Sequence, residues 1–215
     1  MGSQAMTGVV HLGLGAFHRA HQACVFDQLL QQGDARWGVF GVAMHNPDVL
    51  SALKNQGWQY AVQVADAHES HWQTVHAIQD GCVAASERER VVQKLASAET
   101  RWVTLTVTEK GYDTALAKLL LEGFGARCTQ LGHTAIAQLT IASCDNLSHN
   151  GDRLRDLCLT TLKQMQQDGE FAKLSDTISL QAWIEQHCFF PNSMVDRIVP
   201  QSTPACLLAA RDALG

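Results

Sequence analysis

Long apolar runs are missing from this sequence. No segment of its 215 residues approaches the ~20 consecutive apolar positions that a membrane-spanning helix needs. Its first residues show no basic stretch followed by an apolar one, so no leader is read there and a cytoplasmic location is expected. Lysine and arginine nowhere cluster, and the net charge is −5 with a pI near 6.0. A phosphate-backbone binder needs a concentrated basic face, so nucleic acid and membrane surfaces are not expected partners. Cys-x-x-Cys pairs are also absent. The seven cysteines, an odd number scattered from Cys24 to Cys206, fit free thiols in a reducing compartment better than a disulfide framework or a zinc site. Among the histidines, His68, His71 and His76 lie near one another, but their spacing matches no standard ligand pattern, and no metal is expected.

What is present starts at residues 9–22, VVHLGLGAFHRAHQ. An apolar run breaks at Gly13, glycine recurs at Gly15, and Phe17, Ala20, Cys24 and Leu29 follow at roughly helical spacing. Strand, tight turn and helix in that order open a dinucleotide-binding unit. Gly13 permits the turn, Gly15 admits a pyrophosphate close to the backbone, and the first helical amides point at the anion. The third position of the Gly-x-Gly-x-x-Gly fingerprint is His18, so the motif is incomplete, and a Gly-x-Gly turn also joins strands to helices where no nucleotide binds. Residues 1–6 read as an expression scar ahead of the natural start.

The first helix is expected to fade near Gly33, with a second strand over residues 37–43. That strand's end faces the adenosine ribose of a dinucleotide, where an Asp or Glu favours NAD. Here it reads Met44-His45-Asn46-Pro47-Asp48, with no acid at the tip. Asn46 is expected to cap the next helix, with Pro47 in its first turn, which leaves NAD and NADP both open. Residues 58–64 and 70–78 alternate like a strand pair ending before Gly81. A helix over residues 86–98, capped by Ser86, leads to a buried strand over residues 101–107. Further strands are expected over residues 136–143 and 195–199. Helices are expected over residues 152–167, with Leu154, Leu157, Leu162 and Met165 inward, over residues 180–187, and after Thr203-Pro204. Strands alternating with helices specify an α/β protein with an open parallel sheet, whose ligands bind beyond the strands' carboxyl ends. Thr108, Glu109 and Lys110 follow one such strand, and Asp145 and Asn146 follow another. These residues either do chemistry or simply organise turns. Asp196 and Arg197 suit a structural salt bridge.

Four ordered blocks carry a resemblance: residues 11–22, 106–112, 143–151 and 190–200. Together they resemble the N-terminal half of the mannitol dehydrogenase family of polyol and hexuronate dehydrogenases. The first and last blocks are worded most like fructuronate reductase (mannonate oxidoreductase). The resemblance implies a Rossmann-like, doubly wound, mostly parallel sheet with flanking helices over residues 7–200. Residues 201–215 would form a terminal helix leading towards a C-terminal helical substrate domain that is absent from these residues. It also implies an NAD(H) or NADP(H) cofactor, no metal, and hydride transfer to or from a carbinol of an open-chain sugar alcohol or aldonate. Gly13, Gly15, Ala16, Phe17, Arg19, Thr108 and Lys110 match cofactor-binding positions. Asn146 matches an oxyanion donor, and Glu109 a carboxylate lining the proton path.

The family's base is the lysine of a Lys-x-x-x-x-Asn-x-x-His pattern. None of the six lysines, Lys54, Lys94, Lys110, Lys118, Lys163 and Lys173, starts that pattern. The segment between Tyr112 and Ser143 is also shorter than the resemblance leads one to expect. The expectation is therefore a truncated, cofactor-binding portion of an oxidoreductase. It is inactive alone, takes a sugar alcohol or hexuronate only when a second domain is supplied, and is prone to self-association through apolar surface left uncovered. The alternative is a naturally shortened, non-catalytic dinucleotide-binding or protein-interaction module.

Overall fold

A computed structural model describes residues 7–65, 70–107, 111–170, 177–195, 198–200 and 202–214. In chain order, β1 (Val9–Leu12) leads through α1 (Ala16–Ala20) and α2 (Gln22–Gln31) to β2 (Val39–Ala43). Then α3 (Asp48–Asn55) precedes a hairpin of β3 (Tyr60–Ala65) and β4 (Ser70–Val75), followed by β5 (Ile78–Val83), α4 (Arg88–Ala96) and β6 (Trp102–Leu105). The chain continues through α5 (Thr114–Leu131), β7 (Leu139–Ser143), α6 (Asn150–Gln167), α7 (Thr177–His187), β8 (Cys188–Phe189) and α8 (Pro204–Leu214). Six strands form one sheet in the order β5-β2-β1-β6-β7-β8, and every pairing in it is parallel. This is the Rossmann-like, doubly wound arrangement, with the antiparallel β3–β4 hairpin as a separate pair. The strand order reverses between β1 and β6, so the crevice opens past the ends of these two strands.

Both faces of the sheet are covered, which is why its strands read as continuous apolar runs rather than alternating ones. Val10, Leu12, Phe40, Val42, Val103 and Leu105 project into one core with α4, α5, α6 and α7. Val9, Val39 and Ile78 project into the other, against Phe26 of α2, Leu53 of α3, and Val62 and Val75 of the hairpin.

Several local expectations are corrected. The strand pair does not extend to residue 78; a separate parallel strand, β5, runs straight through Gly81. A Cβ at Gly81 would lie 2.3 Å from the Gly41 carbonyl oxygen, so this glycine serves close strand approach and not chain reversal. Ser86 is not the cap of α4. Glu87 occupies that position, and its carboxylate accepts from the Val83 amide. Residues 136–143 are not one strand, because a 3-10 turn at Ala135–Ala137 precedes β7 and leaves Ile136 57% exposed. Leu157 is only partly buried on α6, and Cys158 is the inward residue beside it. Among the described residues of the stretch 195–199 none lies in a strand; β8 takes the sheet edge, and Ile198 is 89% exposed. Asp196 and Arg197 lie outside the described residues, as do His68 and Lys173.

Helix α5, 18 residues long, falls where no local sequence pattern predicts an element. Its Asp113 side chain caps it by accepting from the Leu116 amide. Leu116, Leu119, Leu120, Leu121, Phe124 and Arg127 are all buried, and the polar strip opposite them is narrow, marked by Lys118 and Glu122, so the helical period is weak in the sequence. Arg127 donates to the carbonyls of Leu95, Ser97, Thr100, Ile136, Ala137 and Gln138. It thereby pins the ends of α4 and the approach to β7, and burial lowers its pKa to about 10.

Candidate functional site

The turn after β1 sits at the reversal of strand order. Gly13 has φ +93°, and a Cβ there would fall 2.8 Å from the Thr106 carbonyl oxygen, so both conformation and space require glycine. The Gly13 and Leu14 amides both donate to the Val42 carbonyl, at 3.0 and 3.1 Å. They are committed to the fold, whereas the amides that open α1, from Gly15 to His18, have no intrahelical acceptor, and of these residues Gly15, Ala16 and Phe17 are not buried. Gly15 is different from Gly13. Its φ of −115° suits any residue, and an added Cβ would meet only the Gly13 oxygen, at 3.7 Å. What glycine preserves there is an open approach to the amides, the feature a bound diphosphate needs.

His18, standing where the third glycine is usual, packs α1 onto β1 in another way. Its ring stacks on that of His11, with centroids 3.4 Å apart. Both rings are wholly buried. His11 is bound through Nδ1 to the Thr104 hydroxyl at 2.8 Å and through Nε2 to the Thr106 hydroxyl at 3.0 Å, and the Thr106 hydroxyl also donates to the Gly13 carbonyl at 2.8 Å. Strand β6 is thus laced to the glycine turn. Burial lowers the His18 pKa to about 4 and moves His11 well below its ordinary value, aided by the neighbouring ring. At His21 the backbone departs from helical values, which separates α1 from α2.

Of the other cofactor candidates, Ala16 is exposed at the mouth of the turn and Phe17 is half-buried, its ring edge-on to His21. The guanidinium of Arg19 is partly desolvated, which lowers its pKa. Thr108, Glu109 and Lys110 lie outside the described residues. At the end of β2, Met44, His45 and Asn46 present no carboxylate; Pro47, not Asn46, takes the cap position of α3, and the Asn46 side chain just ahead of it accepts from the Asp48 amide at 2.8 Å. Asn146 is exposed in the loop after β7, on the nearer side of which Asp145 accepts from the Ser143 hydroxyl at 2.9 Å and from the Leu147 amide at 3.1 Å. The Tyr112 hydroxyl is hydrogen-bonded to the Ser143 hydroxyl. Of the lysines, Lys118 pairs with Glu170 at 2.7 Å, Lys94 donates to the Thr7 hydroxyl at 2.9 Å, and Lys54 and Lys163 are exposed on helices.

Sequence reasoning missed the part played by Asn150. Fully buried, it donates to the carbonyls of Ser143, Asp145 and Ser193 and accepts from the Ser193 amide. Asn192 meanwhile accepts from the Gly151 and Asp152 amides, closing the N-terminus of α6. A Cβ at Gly151 would lie 2.5 Å from the Pro191 oxygen. The third and fourth sequence blocks therefore meet in one lock that fixes the loop bearing Asn146. The signal available was the pair of Asn-rich blocks, but nothing in either indicated that they touch.

A sheet wound both ways from β1, with a glycine turn at its reversal and free helical amides beside it, is the architecture of a Rossmann-class α/β domain. The chain belongs to the mannitol dehydrogenase Rossmann domain family, whose model matches residues 7–214. The mannitol 2-dehydrogenase of Aspergillus terreus is 32% identical over 240 residues, covering all of this chain and 46% of its own length. The D-mannonate oxidoreductase of Escherichia coli is 32% identical, covering 99% of this chain and 47% of its own. A solved structure of Pseudomonas fluorescens mannitol 2-dehydrogenase, a ternary complex with NAD and D-mannitol, superimposes with a TM-score of 0.78 at 31% identity. It covers 97% of this chain and 45% of that one. The chain thus spans about half the length of the curated relatives it matches.

Proposed function

We propose that this chain binds NAD(H) as the cofactor half of a dehydrogenase acting on sugar alcohols or hexuronates. The observation that carries this is Gly15. Neither its φ nor its packing demands glycine, yet its lack of a Cβ keeps the Gly15, Ala16 and Phe17 amides approachable. The related P. fluorescens enzyme, solved with NAD and D-mannitol, supports the choice of cofactor and substrate class. The diphosphate rests on those three amides, with Phe17 and Arg19 beside it, and Thr108 and Lys110 are the further cofactor-binding residues of this reading. NAD supplies the hydride acceptor when bound. Asn146 donates to the substrate oxygen as charge develops on it, and Glu109 lines the route of the departing proton.

Residues 7–200 form the cofactor unit, and residues 201–215 lead towards a substrate domain carrying the base. Because no lysine here begins the Lys-x-x-x-x-Asn-x-x-His pattern, the chain by itself does not turn over mannitol, fructose, fructuronate or mannonate. Its place is the cytoplasm. Four well-exposed apolar side chains, Met194, Ile198, Leu207 and Leu208, favour self-association. NADH fluorescence titration tests the cofactor reading. Saturable binding with a Kd roughly in the micromolar to millimolar range is expected, and absence of saturable binding contradicts it.

A further inference from the structure

Strands β6 and β7 are neighbours in the sheet, with Leu105 opposite Ser143 at their carboxyl ends. The chain leaving β6 returns at Gly111 and Tyr112 before entering α5, and the chain leaving β7 passes through Asp145 and Asn146 before α6. Among the described residues, the Tyr112 hydroxyl, the Ser143 hydroxyl and the Asp145 carboxylate form a side-chain path between these two loops. Ser143 is fully buried, and its only hydroxyl proton goes to the Asp145 carboxylate, at 2.9 Å. In its bond with Tyr112, Ser143 therefore accepts and the phenol donates. Asp145 is itself held by the Leu147 amide, and its carbonyl accepts from Asn150. The Tyr112 ring packs against the core on the α5 side of the sheet. Its proton points inward, and burial pushes the phenol pKa up, so Tyr112 is a strut and not a base.

A doubly wound sheet binds one nucleotide on each half, and the adenosine half lies over β2. The nicotinamide half consequently lies over β6 and β7, where this path runs. The geometry points to Tyr112 and Ser143 as positioning residues that set the nicotinamide side of the crevice by tying the loop after β6 to the loop after β7. This rests on the dinucleotide reading given above. Neither residue touches the diphosphate turn, which is built by β1, β2 and α1 and laced to the end of β6 through Thr104 and Thr106.

The test compares NADH with ADP-ribose, which keeps the diphosphate and adenosine but lacks nicotinamide. Isothermal titration is run on the unaltered chain, Tyr112→Phe, Ser143→Ala and the double variant, with circular dichroism confirming the fold of each. Tyr112→Phe keeps the ring and removes only the donor. Each single change is expected to weaken NADH by about five- to tenfold, the scale of one lost buried hydrogen bond. The double variant should be no weaker than either single one, because a chain cut at one link is already cut. ADP-ribose affinity should stay within about twofold throughout. Equal losses for both ligands, no loss for NADH, or additive losses would each overturn the proposal. If the unaltered chain binds neither ligand, the dinucleotide reading itself fails and takes this one with it. Should Tyr112→Phe not fold, Ser143→Ala and Asp145→Asn carry the same comparison, and if none folds the path is purely structural and the proposal falls.

Discussion

His18 and His11 are neutral, stacked and sealed from water, and that has a cost in acid. The His18 pKa falls from 6.5 to about 4 on burial, so between these values the unfolded chain holds a proton that the folded chain does not. Stability therefore rises with pH across that window. It is fully present above about pH 6.5 and is lost as pH falls towards 4. The shift is worth roughly 3 kcal/mol for His18, and His11 and the buried His187 act with the same sign. The depressed carboxylates Asp34 and Glu87, held down chiefly by Arg36 and by the Val83 amide, lose their contribution only as pH falls into and below the usual carboxylate range. They leave pH 5–6.5 to the histidines. Urea unfolding at pH 7.5 and 5.0 should show a clear drop in midpoint at the lower pH, and His18→Gln should shrink that drop. An unchanged midpoint would mean that these rings are not sealed as described.

Among the elements, the lock between the start of α6 and residues 190–193 explains why an asparagine and a glycine stand side by side at Asn150 and Gly151. Gly151→Ala forces a methyl against the Pro191 oxygen, and Asn150→Ala leaves the half-buried Ser193 amide and three carbonyls short of a partner. Each should destabilise the chain by roughly 2–3 kcal/mol, read as a lowered unfolding midpoint. A neutral effect of both would show that the segment does not dock there. The glycine turn, β1, β2, β6 and the α6 helix were legible beforehand, because their apolar periods and Gly13 are local signals. The β5 strand was hidden by Gly81, a residue that breaks isolated strands but here lets Gly41 approach. The helix α5 was hidden because its surroundings are apolar on nearly every side, and periodicity registers only where one face meets water. The Asn150–Ser193 lock joins residues 43 apart, and no local pattern encodes such a meeting.

At the scale of the whole molecule, the sheet turns its covered faces to helices and its carboxyl end to the crevice, while apolar side chains accumulate along the last part of the chain. Met194 is 93% exposed, and Leu207 and Leu208 exceed 60%. Light scattering during size-exclusion chromatography should report a mass above that of the 23.5 kDa chain, falling to it in Leu207→Glu/Leu208→Glu. A monomer at all concentrations would contradict self-association. The crevice is tested most directly by amide chemical shifts in a 15N-labelled sample titrated with NADH. The Gly15, Ala16 and Phe17 amides should move strongly and saturably as the diphosphate accepts from them. Those of Gly13 and Leu14, already given to the Val42 carbonyl, should keep their hydrogen-bonded positions. Saturable shifts that bypass residues 15–17, or no shifts at all, would show that this turn holds no dinucleotide.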